Sequence, residues 1–298
     1  MYLLGIWARR NRLVVVSFAT LALLATVAGV AYSSTVTCAS ALSAAECHRF
    51  LNANPPSTAA TAALALLPVI AGFFFGVEAV AREIDEHTVA FAWSVAGTRI
   101  KWLAWRVVPG LLVTGAIALV SGIANAVIVS NLNPGRDLPN SFVGYGLWGP
   151  ILIVRAYCAF GVGLFVGALS GRPVASIVLS LLAVTALLPG ALLIGRALEP
   201  AQVLRSGDPR MIDALGVGFG AISPDGDFID PVQCDKYAPP GLDGDGLSLW
   251  MKDNCPFAST ALLGPQMTSV ETRESFVLAL VAIGCAGGTV VIVAKRRP

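Results

Sequence analysis

The chain has 298 residues, of which 56% are apolar and 13% charged, with a mean hydropathy of +0.74. A soluble domain carries about 25% charged residues, so this composition excludes an ordinary water-soluble globule and makes a bilayer the expected solvent. The net charge of +2 excludes little by itself; its distribution among the loops is what orients the chain.

In chain order, MYLLGIWARRNR sets Tyr2, Leu3, Leu4, Ile6 and Trp7 ahead of Arg9, Arg10 and Arg12. That arrangement suits an amphipathic N-terminal helix lying in the membrane interface, and an ordinary positive flank with an interfacial Trp fits it too. The apolar run behind it, 13–32, exceeds the about 7–15 residues of a signal-peptide core, and no clear A-x-A site follows, so it reads as a retained span. Five further runs reach the about 20 residues that cross a hydrocarbon core as helix: 59–81, 107–131, 151–170, 174–195 and 275–294. Glu78 is the only charge in the second run, and Arg155 lies near the start of the fourth. GRP at 171–173 separates the fourth and fifth runs, enough for a tight turn. Small residues recur inside the spans, such as Gly161, Gly163 and Gly167 or Gly284, Gly287 and Gly288. In lipid they let helices approach closely, which predicts a packed bundle.

Six spans put both termini on one side. That side carries eleven bases and four acids, and the other nine bases and fourteen acids. The orientation rule counts bases in short loops. With the long 196–274 loop and Arg155 set aside, Arg49 and Arg136 stand on the second side against eleven bases on the first. The first side is therefore expected to be cytoplasmic, with segment 82–106 inside and 196–274 an extracellular loop. The reading is an all-α polytopic membrane protein, one transmembrane domain over 1–298.

Cys158 and Cys285 fall within spans, where they read as packing residues. Cys38 and Cys47 share the first outer loop, and Cys234 and Cys255 the long one. Paired cysteines confined to outward loops suit an oxidising exterior, so Cys38–Cys47 and Cys234–Cys255 are expected disulfides. The 196–274 loop is rich in Pro, Gly and Asp, which predicts turns and irregular structure, with short helices over EPAQVLRSGDPRMIDALGVGFG. Its aspartates invite a calcium reading, but the fifth loop position is Ile229 counted from Asp225 and Leu247 counted from Asp243, against the EF-hand pattern.

The chain contains no GxxxxGK[ST], HExxH, GxSxG or CxxC, and so no phosphate-cradling loop of its own. Its two histidines, His48 and His87, exclude a His-rich metal site. A membrane hydrolase could use Glu78, Glu83 and His87 as base and ligands, but the spans offer no further Asp, Glu or His to complete it. At helical spacing Arg82 can pair with Asp85 and Glu86, and Glu78 lies one turn from Arg82. Glu78 is open to a structural or a transport role. Arg155 reads as a side chain that snorkels to the outer surface, with a substrate contact as the alternative.

Segment 82–106, REIDEHTVAFAWSVAGTRIKWLAWR, joins the second and third spans. Gly97 breaks it, Thr98 can cap a returning helix, and Trp102 and Trp105 beside Arg99, Lys101 and Arg106 suit the lipid headgroups. Residues 83–98 then form a largely helical elbow offering charge and exposed aromatic surface, Phe91 and Trp93, of the kind a protein partner's groove takes as anchors.

GVEAVAREIDEHTVAFAWSVAGTRIKWLAWR resembles the corresponding region of permease subunits of type-2 ABC exporters, especially those of high-GC Gram-positive bacteria. Arg82, Glu83, Thr88, Trp93, Arg99 and Trp102 match that pattern, whereas His87 stands where a glycine is usual. The resemblance implies that 83–98, with Arg82, Glu83, Asp85, Glu86, His87, Thr88, Phe91, Trp93 and Thr98, is the region that docks on a separate ABC ATP-binding subunit. It further implies that ATP and magnesium bind in that subunit, this chain being non-enzymatic and without cofactor, metal or nucleic-acid partner. A second permease copy or a homologous permease would complete the path in the cell membrane, with lipid around it. The expected activity is export of an amphipathic or hydrophobic solute such as a natural product, peptide or lipid. The rival of another class is a non-transporting sensor or assembly protein whose outer loop binds a ligand.

Overall fold

The computed structural model describes residues 12–35, 55–86, 88–133 and 136–296. The expected N-terminal interfacial helix, the Cys38–Cys47 pair and His87 lie outside the described residues. The chain divides into two compact units, one of residues 1–134, 146–193 and 273–298, the other of 135–145 and 194–272.

The first unit is built from α1 (Arg12–Thr35), α2 (Pro55–Asp85), the short α3 (Val89–Ala96), α4 (Arg99–Leu132), α5 (Pro150–Ser170), α6 (Pro173–Ala197) and α8 (Met267–Lys295), the last two running on into the second unit. Among the described residues six helices, α1, α2, α4, α5, α6 and α8, are long and apolar enough to cross a membrane. Each contains one of the runs read from the sequence. Several extend well beyond it: α4 opens at Arg99 and α8 at Met267.

Helix α2 packs most extensively on α5, then on α4 and α1. Its contact with α5 rests on glycines at which the two backbones approach closely. A Cβ at Gly72 or Gly76 would strike the carbonyl oxygens of Ala156 or Phe160, and one at Gly163 would strike that of Phe73. Backbones this close gain van der Waals contact, which holds helices together where no hydrophobic drive exists between them. Gly284 and Gly287 instead face open space, so only part of the small-residue pattern serves packing within the chain. Phe18 of α1 lies 6.1 and 5.6 Å, ring to ring, from Phe74 and Phe75 of α2. The turn between α5 and α6 is the GRP stretch, with Gly171 at φ 64°, a conformation that favours glycine.

The second unit overturns the expectation of an irregular loop with short helices at 199–220. It holds a four-stranded antiparallel sheet, order β1-β4-β2-β3, from β1 (Gln202–Arg205), β2 (Leu215–Ile222), β3 (Phe228–Ile229) and β4 (Phe257–Leu262), with α7 (Gly244–Asn254) between β3 and β4. The protein is thus mostly helical rather than all-α. Two of the glycines of β2, which argue against a strand in sequence, have a packing reason: a Cβ at Gly220 would meet the Phe228 ring of the neighbouring strand, and one at Gly218 the Thr260 hydroxyl.

Candidate functional site

Helix α2 runs without a break past its apolar stretch to Asp85, and the chain then turns into α3 with the Thr88 N–H donating to the Glu83 carbonyl at 3.1 Å. Helix α3 stops at Gly97, whose φ of 76° few other residues adopt and whose N–H donates to the Trp93 carbonyl at 3.1 Å. Thr98 is extended, and its hydroxyl accepts the Lys101 N–H at 3.2 Å, capping α4 as its sequence position predicts.

The elbow is fastened from within. Glu83 is 5% exposed; its carboxylate accepts the Trp102 indole N–H at 2.8 Å and pairs with Arg106. Trp102 and Arg106 are one helical turn apart on α4, so a single face meets the acid. Trp93 of α3 sets its ring edge-on to Trp102 at 6.2 Å, and the Arg99 guanidinium lies 4.4 Å from the Trp93 ring centre. Arg99 also donates to the carbonyl of Val293 at 3.4 Å, and to that of Ala294, near the end of α8. Helices α2, α3, α4 and α8 are thereby tied through one chain of hydrogen bonds, an ion pair and ring contacts.

The outward side is different. Phe91 is 74% exposed, and Arg82, Asp85, Glu86 and Thr88 are exposed too. Arg82 pairs with Glu86 at 2.9 Å and Glu78 at 3.9 Å, so Glu78 has the structural partner one turn away. Two expectations are corrected. Trp93 is buried, not an exposed anchor, because Trp102 and Arg99 cover its ring; and Arg82 turns to Glu78 and Glu86 instead of Asp85. The hydrolase reading loses one of its three groups, since the Glu83 carboxylate is occupied by Trp102 and Arg106.

Arg155 does not snorkel. Its Nε and Nη2 reach one oxygen of Glu274 at 2.8 and 2.7 Å, and Nη1 donates to the Gly146 carbonyl at 3.2 Å. Glu274 is fully buried, and a buried carboxylate needs such partners to offset its desolvation. Sequence reasoning assigned Glu274 to the loop and so saw no acid in the spans beyond Glu78. The signal that locates it is local: after Pro265 no Gly or Pro occurs before Gly284, so the helix can begin at Met267. In the second unit Cys234 and Cys255 stand together, both buried, with Cα atoms 6.3 Å apart, inside the span a disulfide bridges.

Residues 9–194 match the family model described as ABC-2 membrane transporter related. No curated protein and no solved structure matches the chain.

Proposed function

The chain belongs to the ABC-2 membrane transporter related family, a multi-pass membrane permease, and from that membership we propose that it is the transmembrane subunit of an ATP-driven exporter. The elbow 83–98 meets a separate ABC ATP-binding subunit, where ATP and magnesium bind. Phe91 is the anchor, with the exposed Arg82, Asp85, Glu86 and Thr88 as the polar contacts, while Glu83, Trp93 and Thr98 hold the elbow's shape.

One observation carries the reading: an exposed aromatic on a short helix whose interior ties reach α2, α4 and α8. Transmission of a partner's movement needs a contact point rigidly continuous with the spans, and a buried acid held by a Trp and an Arg supplies that rigidity. The termini and the elbow lie in the cytoplasm, as the bias in bases supports, and the second unit lies outside the cell membrane, where Cys234–Cys255 and Cys38–Cys47 are oxidised. Two permeases, identical or homologous, enclose the path. The cargo is an amphipathic or hydrophobic solute, in keeping with the resemblance to exporters of high-GC Gram-positive bacteria.

The test is co-purification followed by transport. The native chain is expected to bring down an ABC ATP-binding subunit and to support ATP-dependent solute movement in vesicles. Phe91→Ala is expected to cost about 2 kcal/mol or more of subunit affinity, as removing an interface anchor does, with the thermal midpoint of the permease unchanged. A chain that isolates without any ATP-binding subunit and moves nothing on ATP addition overturns the reading.

A further inference from the structure

The second unit holds a partly open cavity of about 310 Å³ between α7 and the sheet, at the lower end of the about 300–1,000 Å³ of small-molecule pockets. One face of α7 and its C-cap lines it, with Ser248, Met251, Lys252 and Cys255 at spacings of three and four. Ala221 of β2, Cys234 and Phe257 of β4 form the facing wall. Phe257 is half exposed and stacks on Phe219, itself 68% exposed, with ring centres 5.5 Å apart. An apolar chamber thus opens beside an aromatic shelf.

The charges at the cavity decide the ligand class. Residues 135–145 and 194–272 carry twelve acids and six bases, yet no carboxylate lines the cavity and Lys252 does. Ser248, one turn away on the same face of α7, donates its hydroxyl to the Asp245 carbonyl at 2.8 Å, so the Lys252 ammonium is the cationic group at the cavity. Lys252 has no ion pair among the described residues. A local reversal of charge in an acidic unit, next to an apolar chamber, fits a molecule with an apolar body and an anionic end.

We propose that this cavity is a binding site for an amphipathic anion, its apolar body against Met251, Ala221 and the Cys234–Cys255 wall and its anionic group at Lys252. The site is separate from the elbow and does not depend on how ATP is coupled. The anion can be a free acid or the headgroup of an anionic lipid; both present the same chemistry to Lys252.

Hydrogen–deuterium exchange on the full chain in phosphatidylcholine nanodiscs tests it. Sodium octanoate is expected to slow exchange across 244–262, and octyltrimethylammonium, of equal chain length, is not. Lys252→Glu, a change at an exposed side chain, is expected to raise the octanoate concentration for half-protection by about tenfold, the loss of one charge-assisted contact. Met251→Trp fills the chamber and is expected to abolish protection with Lys252 in place. Protection already present in phosphatidylglycerol discs, and lost in Lys252→Glu, assigns the anion to lipid; protection only on adding octanoate assigns it to a free acid. Equal protection by the cationic probe, no protection by either anion, or an unchanged response in Lys252→Glu overturns the proposal.

Discussion

Two buried carboxylates on the membrane helices, Glu83 and Glu274, invite comparison, because each is held by arginine and the two surroundings differ. Glu83 is 5% exposed and takes a Trp N–H and an Arg from one face of α4, beside a broken helix and the exposed Phe91. Glu274 is fully buried and meets Arg155 across two long uninterrupted helices, α8 and α5. The first acid braces a place where the chain turns; the second fastens two rods. Burial and pairing bear on stability at both sites, and only the first stands at the elbow proposed to meet a partner subunit.

The largest expected effect tests the fastening role. Glu274→Ala leaves the Arg155 guanidinium, 17% exposed, without its carboxylate, and should cost about 3–5 kcal/mol, the usual result of breaking a buried pair. Thermal unfolding of the solubilised protein measures it, and exchanging the two residues, Arg155→Glu with Glu274→Arg, should recover part of the loss. Glu83→Gln should cost less, about 1–3 kcal/mol, since Gln still accepts from Trp102 and Arg106 is 22% exposed. Its larger expected consequence is ATP hydrolysis that no longer drives transport, read by comparing the two rates in vesicles. A Glu274→Ala protein as stable as Glu83→Gln would erase the distinction between the two sites.

That distinction was half legible. Glu83 stood out in the sequence because a dense charged stretch interrupts apolar runs, and the runs located all six long helices. Glu274 was hidden by the same logic: a charge beside a run reads as loop when its partner, Arg155, is 119 positions away in sequence. The burial of Trp93 was missed for a related reason. Aromatic residues near a helix break look exposed until Trp102 and Arg99, brought round by Gly97 and Thr98, cover them. Apart from the β2–β3 hairpin, the sheet of the second unit is non-local; β1 and β4 pair Gln202 with Ala261, and no short-range pattern reports such a ladder in Gly-rich strands.

A smaller effect sharpens how the elbow is braced. Trp93→Phe keeps an aromatic edge against Trp102 but weakens the platform under Arg99, and the indole N–H has no hydrogen-bond partner among the described residues. The expected loss is about 0.5–1.5 kcal/mol, measured by the same unfolding midpoint. An equal loss in Trp93→Phe and Glu83→Gln would move the weight of the elbow from the acid to the rings.

The smallest effect anchors the exposed end of the comparison. Asp208 and Arg210 pair at the surface of the second unit at 2.8 Å, and the Arg210 side-chain hydrogen bond holds the Asp208 carboxyl below its ordinary value. A carboxyl depressed in the folded state adds stability above its unfolded value, about 3.9. That contribution is lost only as pH falls through the folded value. Asp208→Asn should therefore shift the unfolding midpoint little and by a constant amount from pH 7 down to about 5, narrowing toward zero below about pH 4. A loss at pH 7 as large as that of Glu83→Gln would mean that pairing itself, irrespective of burial, sets the strength of these acid–arginine contacts.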